Sequence, residues 1–314
     1  MELVAGTVFF FKWEVALITF LQSHMGTVAT AAASFFSILG EQFLLVPVMG
    51  LLYWGYDKDL GKAVGLNLIT ALSWSAMLKN CFFRRRPYFD HPEIKCLKTV
   101  DASAPAENLV AQGWSFPSAH STSSVALYST LPFYRKDSVV LRLAGILIPL
   151  LVGVSRFCLG VHYPTDVIVG WLLGLITIAV VSFLQSKIRK RLVLYAVLFL
   201  TAVPGLFFCK TSDYYSSFGL MTGALCGFYF EEKVVHFQNT RSIIRSILRV
   251  IGGIALFLGL STAIKLPFSD AMLHSPSSAA HFIRVLRYAV STFAVIGVYP
   301  MIFRFTAKIG GQKQ

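Results

Sequence analysis

The amino-acid sequence predicts an all-α protein organised as a polytopic bundle of membrane-spanning helices. Charged residues make up only 14% of the chain and hydrophobic residues 55%, whereas a soluble domain carries about 25% charged residues. A soluble chain of 314 residues would lack the polar surface to face water on all sides. Mean hydropathy is +0.66, and the apolar residues recur in separate runs near the length of a bilayer crossing. The 12 scattered prolines and the apolar content exclude coiled-coil, collagen-like and disordered architectures. A net charge of +13 would point to nucleic acid in a soluble protein. In a membrane protein it belongs to Lys- and Arg-rich loops, and no nucleic-acid partner is expected.

Taken in order, segment 8–22 carries Lys12 and Glu14 within apolar sequence and reads as an amphipathic helix lying along the interface. Segment 26–39, short and rich in Ala and Ser, reads as a half-helix or a continuation of the next span. Apolar runs then follow at 41–56, 62–80, 119–134, 138–155, 164–186, 192–209, 214–230, 247–264 and 284–303. Each is close to the roughly 17 residues that a crossing needs. The basic run Lys187–Arg191 marks the boundary between an N-terminal part, 1–186, and a C-terminal part, 187–314, with four further helices. The first residues, without a basic leader or a small-residue cleavage site, read as part of the mature protein. The five cysteines show no CxxC and no metal-ligand spacing, so neither a disulfide nor a metal centre is expected.

Alternate connections divide the Lys and Arg residues unequally. The richer set includes Lys58, Lys62, Arg135, Lys136, the 187–191 run, Arg304, Lys308 and Lys313; the poorer set includes Lys79, Arg84 to Arg86, Lys95, Lys98, Arg156, Arg284 and Arg287. The positive-inside bias places the richer set in the cytoplasm and the 87–117 loop outside.

Three polar clusters interrupt the apolar pattern, each at the outer end of a predicted span. The first runs from Lys79 to Arg86 and Pro87, the second from Phe116 to His120, and the third from Ser155 and Arg156 to His162 and Asp166. At a helix end a charge escapes the roughly 2.5–3.5 kcal/mol penalty of the bilayer centre. Lys79, Arg86 and Arg156 would supply cations for an anion, the arginines with a fork that matches phosphate oxygens. Pro117 suits a first helical turn, with the N–H groups of Ser118 and Ala119 then facing the anion. Asp166, four residues after His162, can hold that imidazole through Nδ1 and leave Nε2 free to attack. His120 supplies a second imidazole, suited to protonating a leaving oxygen.

The three clusters resemble the signature of the type 2 phosphatidic acid phosphatase (PAP2) superfamily: KxxxxxxRP, PSGH and SRxxxxxHxxxD. The first and third are complete here, and the second has Ala119 where glycine is usual. The resemblance implies a six-helix PAP2-like core over 1–186, extended by about four C-terminal transmembrane helices. It implies His162 as nucleophile, Asp166 as its orienting partner and His120 as general acid, with Lys79, Arg86, Ser118, Ala119 and Arg156 as phosphate ligands. The implied activity is hydrolysis of a lipid phosphate or diphosphate, such as undecaprenyl diphosphate, phosphatidylglycerophosphate or phosphatidic acid, at the outer face of a bacterial cell membrane. It would proceed through a phosphohistidine and without a cofactor or metal.

Arg84 and Arg85 read as interfacial anchors. Asp90, His91 and Glu93 read as solvated loop in preference to a metal site, and His274, His281, Arg284 and Arg287 as surface in preference to a headgroup site. The same catalytic site could serve a phosphotransferase, a phosphatase of a water-soluble phosphate, or a carrier without turnover. The helices after 187 read as shaping a lipid entrance or a homodimer face.

Overall fold

A computed structural model describes residues 6–303; Arg304, Lys308 and Lys313, counted above for topology, lie outside them. Helix is the regular structure of the described residues, with no strand among them; one isolated parallel bridge joins Thr7 and Arg84. Among the described residues, five helices are long and apolar enough to cross a membrane: Val139–Cys158, Pro164–Lys187, Arg191–Phe208, Ile243–Lys265 and Ser278–Phe303. Thr27–Ile38 and Gln42–Tyr56 pass the same test when taken together as one broken span. Lys58–Phe82 is 25 residues long but is diluted by Asn67, Ser73, Ser75 and Asn80, all buried. The predicted span 119–134 is helical from Ala119 to Tyr134, with a π turn over Val125–Ser129. All five cysteines are free.

Contacts divide the chain into two compact units that do not follow the boundary at 186/187. One comprises Met1–Leu45 with Trp74–Val180, the other Val46–Ser73 with Val181–Gln314.

In the first unit, Lys12–His24 turns Glu14 and Ile18 inward. Ile18 packs with Ile94 and Tyr163, while Ala33 of Thr27–Ile38 packs with Cys158, Leu159 and Val161. Ser138 caps Val139–Cys158 by accepting from the N–H of Leu141, a bond that satisfies one of the amides orphaned at a helix start. The other end of that helix closes on Gly160 at φ +76°, the left-handed residue that commonly follows a helix C-terminus. This reversal carries Val161 and His162 back beneath the helix end. Pro164–Lys187 approaches the 119–134 helix closely because it presents glycine there. A Cβ at Gly170 would lie 2.7 Å from the Ser118 carbonyl, and one at Gly174 2.6 Å from Val125. Such small-residue contacts drive helix association where lipid gives no hydrophobic advantage.

The second unit uses the same device at larger scale. Gly219, Gly223 and Gly227 lie four residues apart in Ser212–Phe230. Their Cα positions abut the backbone of Val285 and Ala289 and the side chain of Ile296. Glu231, fully buried, is matched by Lys58 at 2.9 Å and Lys62 at 2.8 Å.

Candidate active site

All eight residues singled out by the three motifs fall in the first unit. His162 is 2% exposed. Its Nε2 stands 3.2 Å from an Arg86 guanidinium nitrogen, and its Nδ1 stands 3.4 Å from Asp166 Oδ2. The latter is an ion-pair distance without the alignment of a hydrogen bond, since Nδ1 has no hydrogen-bond partner among the described residues. An arginine can only donate. Nε2 therefore accepts, and the ring proton resides on Nδ1, facing the carboxylate. Burial, and after it the positive charges of Arg86, Arg156, Lys79 and His120, hold His162 well below the ordinary imidazole range. Of these cations, Arg86 is the one in direct contact with the ring.

Arg86 is fixed by backbone carbonyls. Its Nε donates to Gln112 (2.9 Å) and Gly113 (3.0 Å), and Nη1 donates to Val161 (2.8 Å). Lys79, also buried, donates to the carbonyl of Trp114. These bonds tie the 112–114 loop to the cations, with Lys79 and Arg86 facing it from either side of the helix end. Arg156 is 1% exposed and donates from Nη1 to Ser37 Oγ. Its Nε and Nη2 are buried without hydrogen-bond partners among the described residues. Buried donors are nearly always satisfied, and a tetrahedral oxyanion is the ligand whose geometry fits a guanidinium edge.

Ser118 departs from expectation in detail. It is the N-cap of Ala119–Ser124, not a residue within its first turn, and its own N–H donates to the Asp166 carbonyl at 2.9 Å. The amides at the helix start that have no intrahelical acceptor are thus those of Ala119 and His120. Ser118 Oγ accepts from Ser121 Oγ at 2.9 Å, so its hydroxyl proton is directed elsewhere. Through the bond to Asp166, the second motif is joined directly to the third.

Two charged residues of this site were not legible as such. Arg84, expected as an interfacial anchor, is fully buried. It donates from Nη1 to Asp166 Oδ1 (2.6 Å) and to Thr165 Oγ1 (2.8 Å), and from Nη2 to Glu14 Oε2 (2.9 Å). The rings of Phe9 and Tyr163 flank its guanidinium, with centroids at 4.4 and 3.9 Å. Glu14, expected on an interfacial helix, is fully buried and also accepts from Thr165 N and Oγ1. A lone carboxylate within an apolar helix was the available signal. Arg85, by contrast, is part exposed and pairs with Asp90 at 3.0 Å. His91 sits against Phe10 and Tyr163, and no cluster of three or more metal-ligating side chains occurs among the described residues.

Comparison with known proteins follows the same lines. Residues 60–190 match the model of the PAP2 superfamily, and 215–311 match that of the PAP2 superfamily phosphatase transmembrane extension. The chain is 32% identical over 190 residues to a decaprenylphosphoryl-5-phosphoribose phosphatase of Mycobacterium tuberculosis, covering 57% of this chain and 97% of that relative. An undecaprenyl-diphosphatase of Sulfolobus acidocaldarius is 29% identical over 162 residues, 50% of this chain and 68% of the relative. A phosphatidylglycerophosphatase B of Bacillus subtilis is 36% identical over 85 residues, 24% and 42% respectively. No solved structure matches the chain. Motifs, helical membrane architecture and a relative matched along nearly its whole length agree: the chain belongs to the PAP2 superfamily and is a multi-pass membrane phosphatase.

Proposed function

We propose that this phosphatase cleaves its lipid phosphate or diphosphate through a covalent phosphohistidine on His162, without a metal, at the extracytoplasmic face of a bacterial membrane. The observation that carries the reading is the 3.2 Å contact between an Arg86 guanidinium nitrogen and His162 Nε2. Arg86 donates towards Nε2, so the lone pair of that nitrogen is available as soon as a phosphoryl oxygen takes over the Arg86 donor. Asp166 beside Nδ1 balances the charge that develops on the ring.

In the first step the Nε2 lone pair attacks phosphorus and the bond from phosphorus to the leaving oxygen breaks. The departing electron pair is protonated by His120. A bound phosphate dianion supports the protonated form of that imidazole by its own charge. In the second step His120 takes a proton from water, the resulting hydroxide attacks phosphorus, and the P–N bond electrons return to His162. Inorganic phosphate leaves. Arg86, Arg156, Lys79, Ser118 and the amides of Ala119 and His120 form the cradle for the equatorial oxygens in both steps. Accelerations for such esters reach about 10²¹, and one general acid contributes about 10²–10⁴. The nucleophile and the cationic cradle must therefore supply most of the remainder.

Relatives named for decaprenyl-linked, undecaprenyl and phosphatidylglycerol phosphates support a substrate made of a long apolar tail and a terminal phosphate. The test is release of phosphate by the purified chain from a panel of polyprenyl and glycerolipid phosphates, with chelator present throughout. The wild type should turn over at least one of them, and His162→Ala should lose about 10³-fold or more. Unchanged activity in His162→Ala would remove the mechanism. Activity lost to chelator and restored by a divalent ion would remove metal independence.

A further inference from the structure

We infer that the C-terminal extension holds a second phosphate-binding site, separate from the catalytic one, at the connection between its Ile243–Lys265 and Ser278–Phe303 spans. A cavity of about 170 Å³ opens there, lined by Lys265, Asp270, His274, Arg284 and Arg287 among others. Its volume is several times the roughly 30 Å³ share of a water molecule, enough for a phosphate group and its ester linkage.

Charge in this cavity is unbalanced. Lys265, Arg284 and Arg287 line it, against one lining carboxylate, Asp270; Asp213 acts on Arg284 from the Ser212–Phe230 helix. One positive charge is left over. Both arginines are part exposed. Arg284 donates to the Leu273 carbonyl at 3.3 Å. Arg287 packs its guanidinium 4.5 Å from the Tyr288 ring centroid, and its Nε is buried without a hydrogen-bond partner among the described residues. A buried donor with surplus positive charge around it calls for an anionic acceptor. His274 donates from Nδ1 to the Asp270 carbonyl at 2.8 Å, which fixes the rim of the cavity. His281 does not take part: it stacks on Tyr215 at 3.9 Å.

The link between two consecutive spans lies at the level of lipid headgroups, and basic pockets between transmembrane helices hold such groups. Phosphate is the shared chemistry, and its source is either an anionic lipid headgroup or free inorganic phosphate. The full chain in dodecyl-maltoside micelles distinguishes them by thermal unfolding with added phosphatidylglycerol or added inorganic phosphate. Three proteins are compared: wild type, Arg284→Gln/Arg287→Gln, and a catalytic-site control, Arg86→Gln/Arg156→Gln. Phosphatidylglycerol should raise Tm by about 3 °C or more in the wild type and the control, and not in Arg284→Gln/Arg287→Gln. The same pattern with inorganic phosphate in place of the lipid would identify free phosphate as the ligand. Equal responses of Arg284→Gln/Arg287→Gln and wild type to both additions, or no response of the control to either, would overturn the proposal. Wild-type hydrolysis by Arg284→Gln/Arg287→Gln verifies its fold. Should it fail to fold, Arg287→Lys, which keeps the charge and removes the Nε donor, should show a reduced response; a full one overturns the proposal.

Discussion

Burying a guanidinium costs several kcal/mol unless its charge is matched and its donors are taken up. Arg84 meets both conditions, with Glu14 on one side and Asp166 on the other. Removing one partner strands the rest: Glu14→Gln should lower stability by about 3–5 kcal/mol, whereas Lys12→Gln, on the exposed side of the same helix, should change it by less than about 0.5 kcal/mol. Unfolding midpoints in mixed micelles measure both, and equal effects would show that Arg84 does not depend on Glu14. His162 carries a pH prediction. Burial and the surrounding cations lower its proton affinity, so it is neutral when folded and gains a proton on unfolding below the ordinary value of about 6.5. Its contribution to stability is complete above that value and is lost as pH falls below it. For the same reason the acid limb of kcat/KM should lie below about 6.5; a limb above it would mean that the nucleophile is charged near neutrality.

At the scale of elements, the groups proposed as catalytic are held by helix ends, and the helices are held by small residues. Gly170→Ala would press a Cβ to 2.7 Å from the Ser118 carbonyl and 2.9 Å from Ser121 Cβ, displacing the helix that carries His120. Overpacking of this kind costs about 1–3 kcal/mol, and activity should fall at least about tenfold, because alignment within the site is what a small displacement spoils. Gly259→Ala is the matched control, since nothing lies within 4 Å of its Cβ position; it should keep full activity and gain up to about 1 kcal/mol. Hydrolysis and thermal unfolding read both. The sequence exposed the spacing of the three motifs but not the fate of the Arg84–Arg86 run. The helix ends at Phe82, and Phe83 turns the backbone to φ +48°. The three arginines then point in different directions, inward, outward and into the site, and no periodicity rule reports that. Glu14 was hidden for another reason: its partners Arg84 and Thr165 lie 70 and 151 positions away in the chain, beyond the reach of any local pattern. The N–H of Ser118, expected to face an anion, was not legible in its actual role, because its acceptor is the backbone of another motif.

For the whole molecule, membrane class and helical content follow from composition alone, since no soluble surface can be made from 14% charged residues. The division into units did not follow from composition, because residues 46–73 group with the C-terminal half by contacts that no hydropathy profile records. Orientation is the remaining whole-molecule expectation. With native cysteines replaced, Val110→Cys, 72% exposed in the 87–117 loop, should react with a membrane-impermeant maleimide in intact cells. Arg189→Cys should react only after lysis, and the reverse pattern would invert the topology. The central claim concerns the fate of the phosphoryl group, and rapid-quench trapping with a ³²P-phosphorylated lipid tests it most directly. An acid-labile, base-stable phosphoenzyme should appear within one turnover, map to the peptide containing His162, and be absent from His162→Ala. Turnover in the wild type with no label on that peptide, or labelling that survives in His162→Ala, would contradict it.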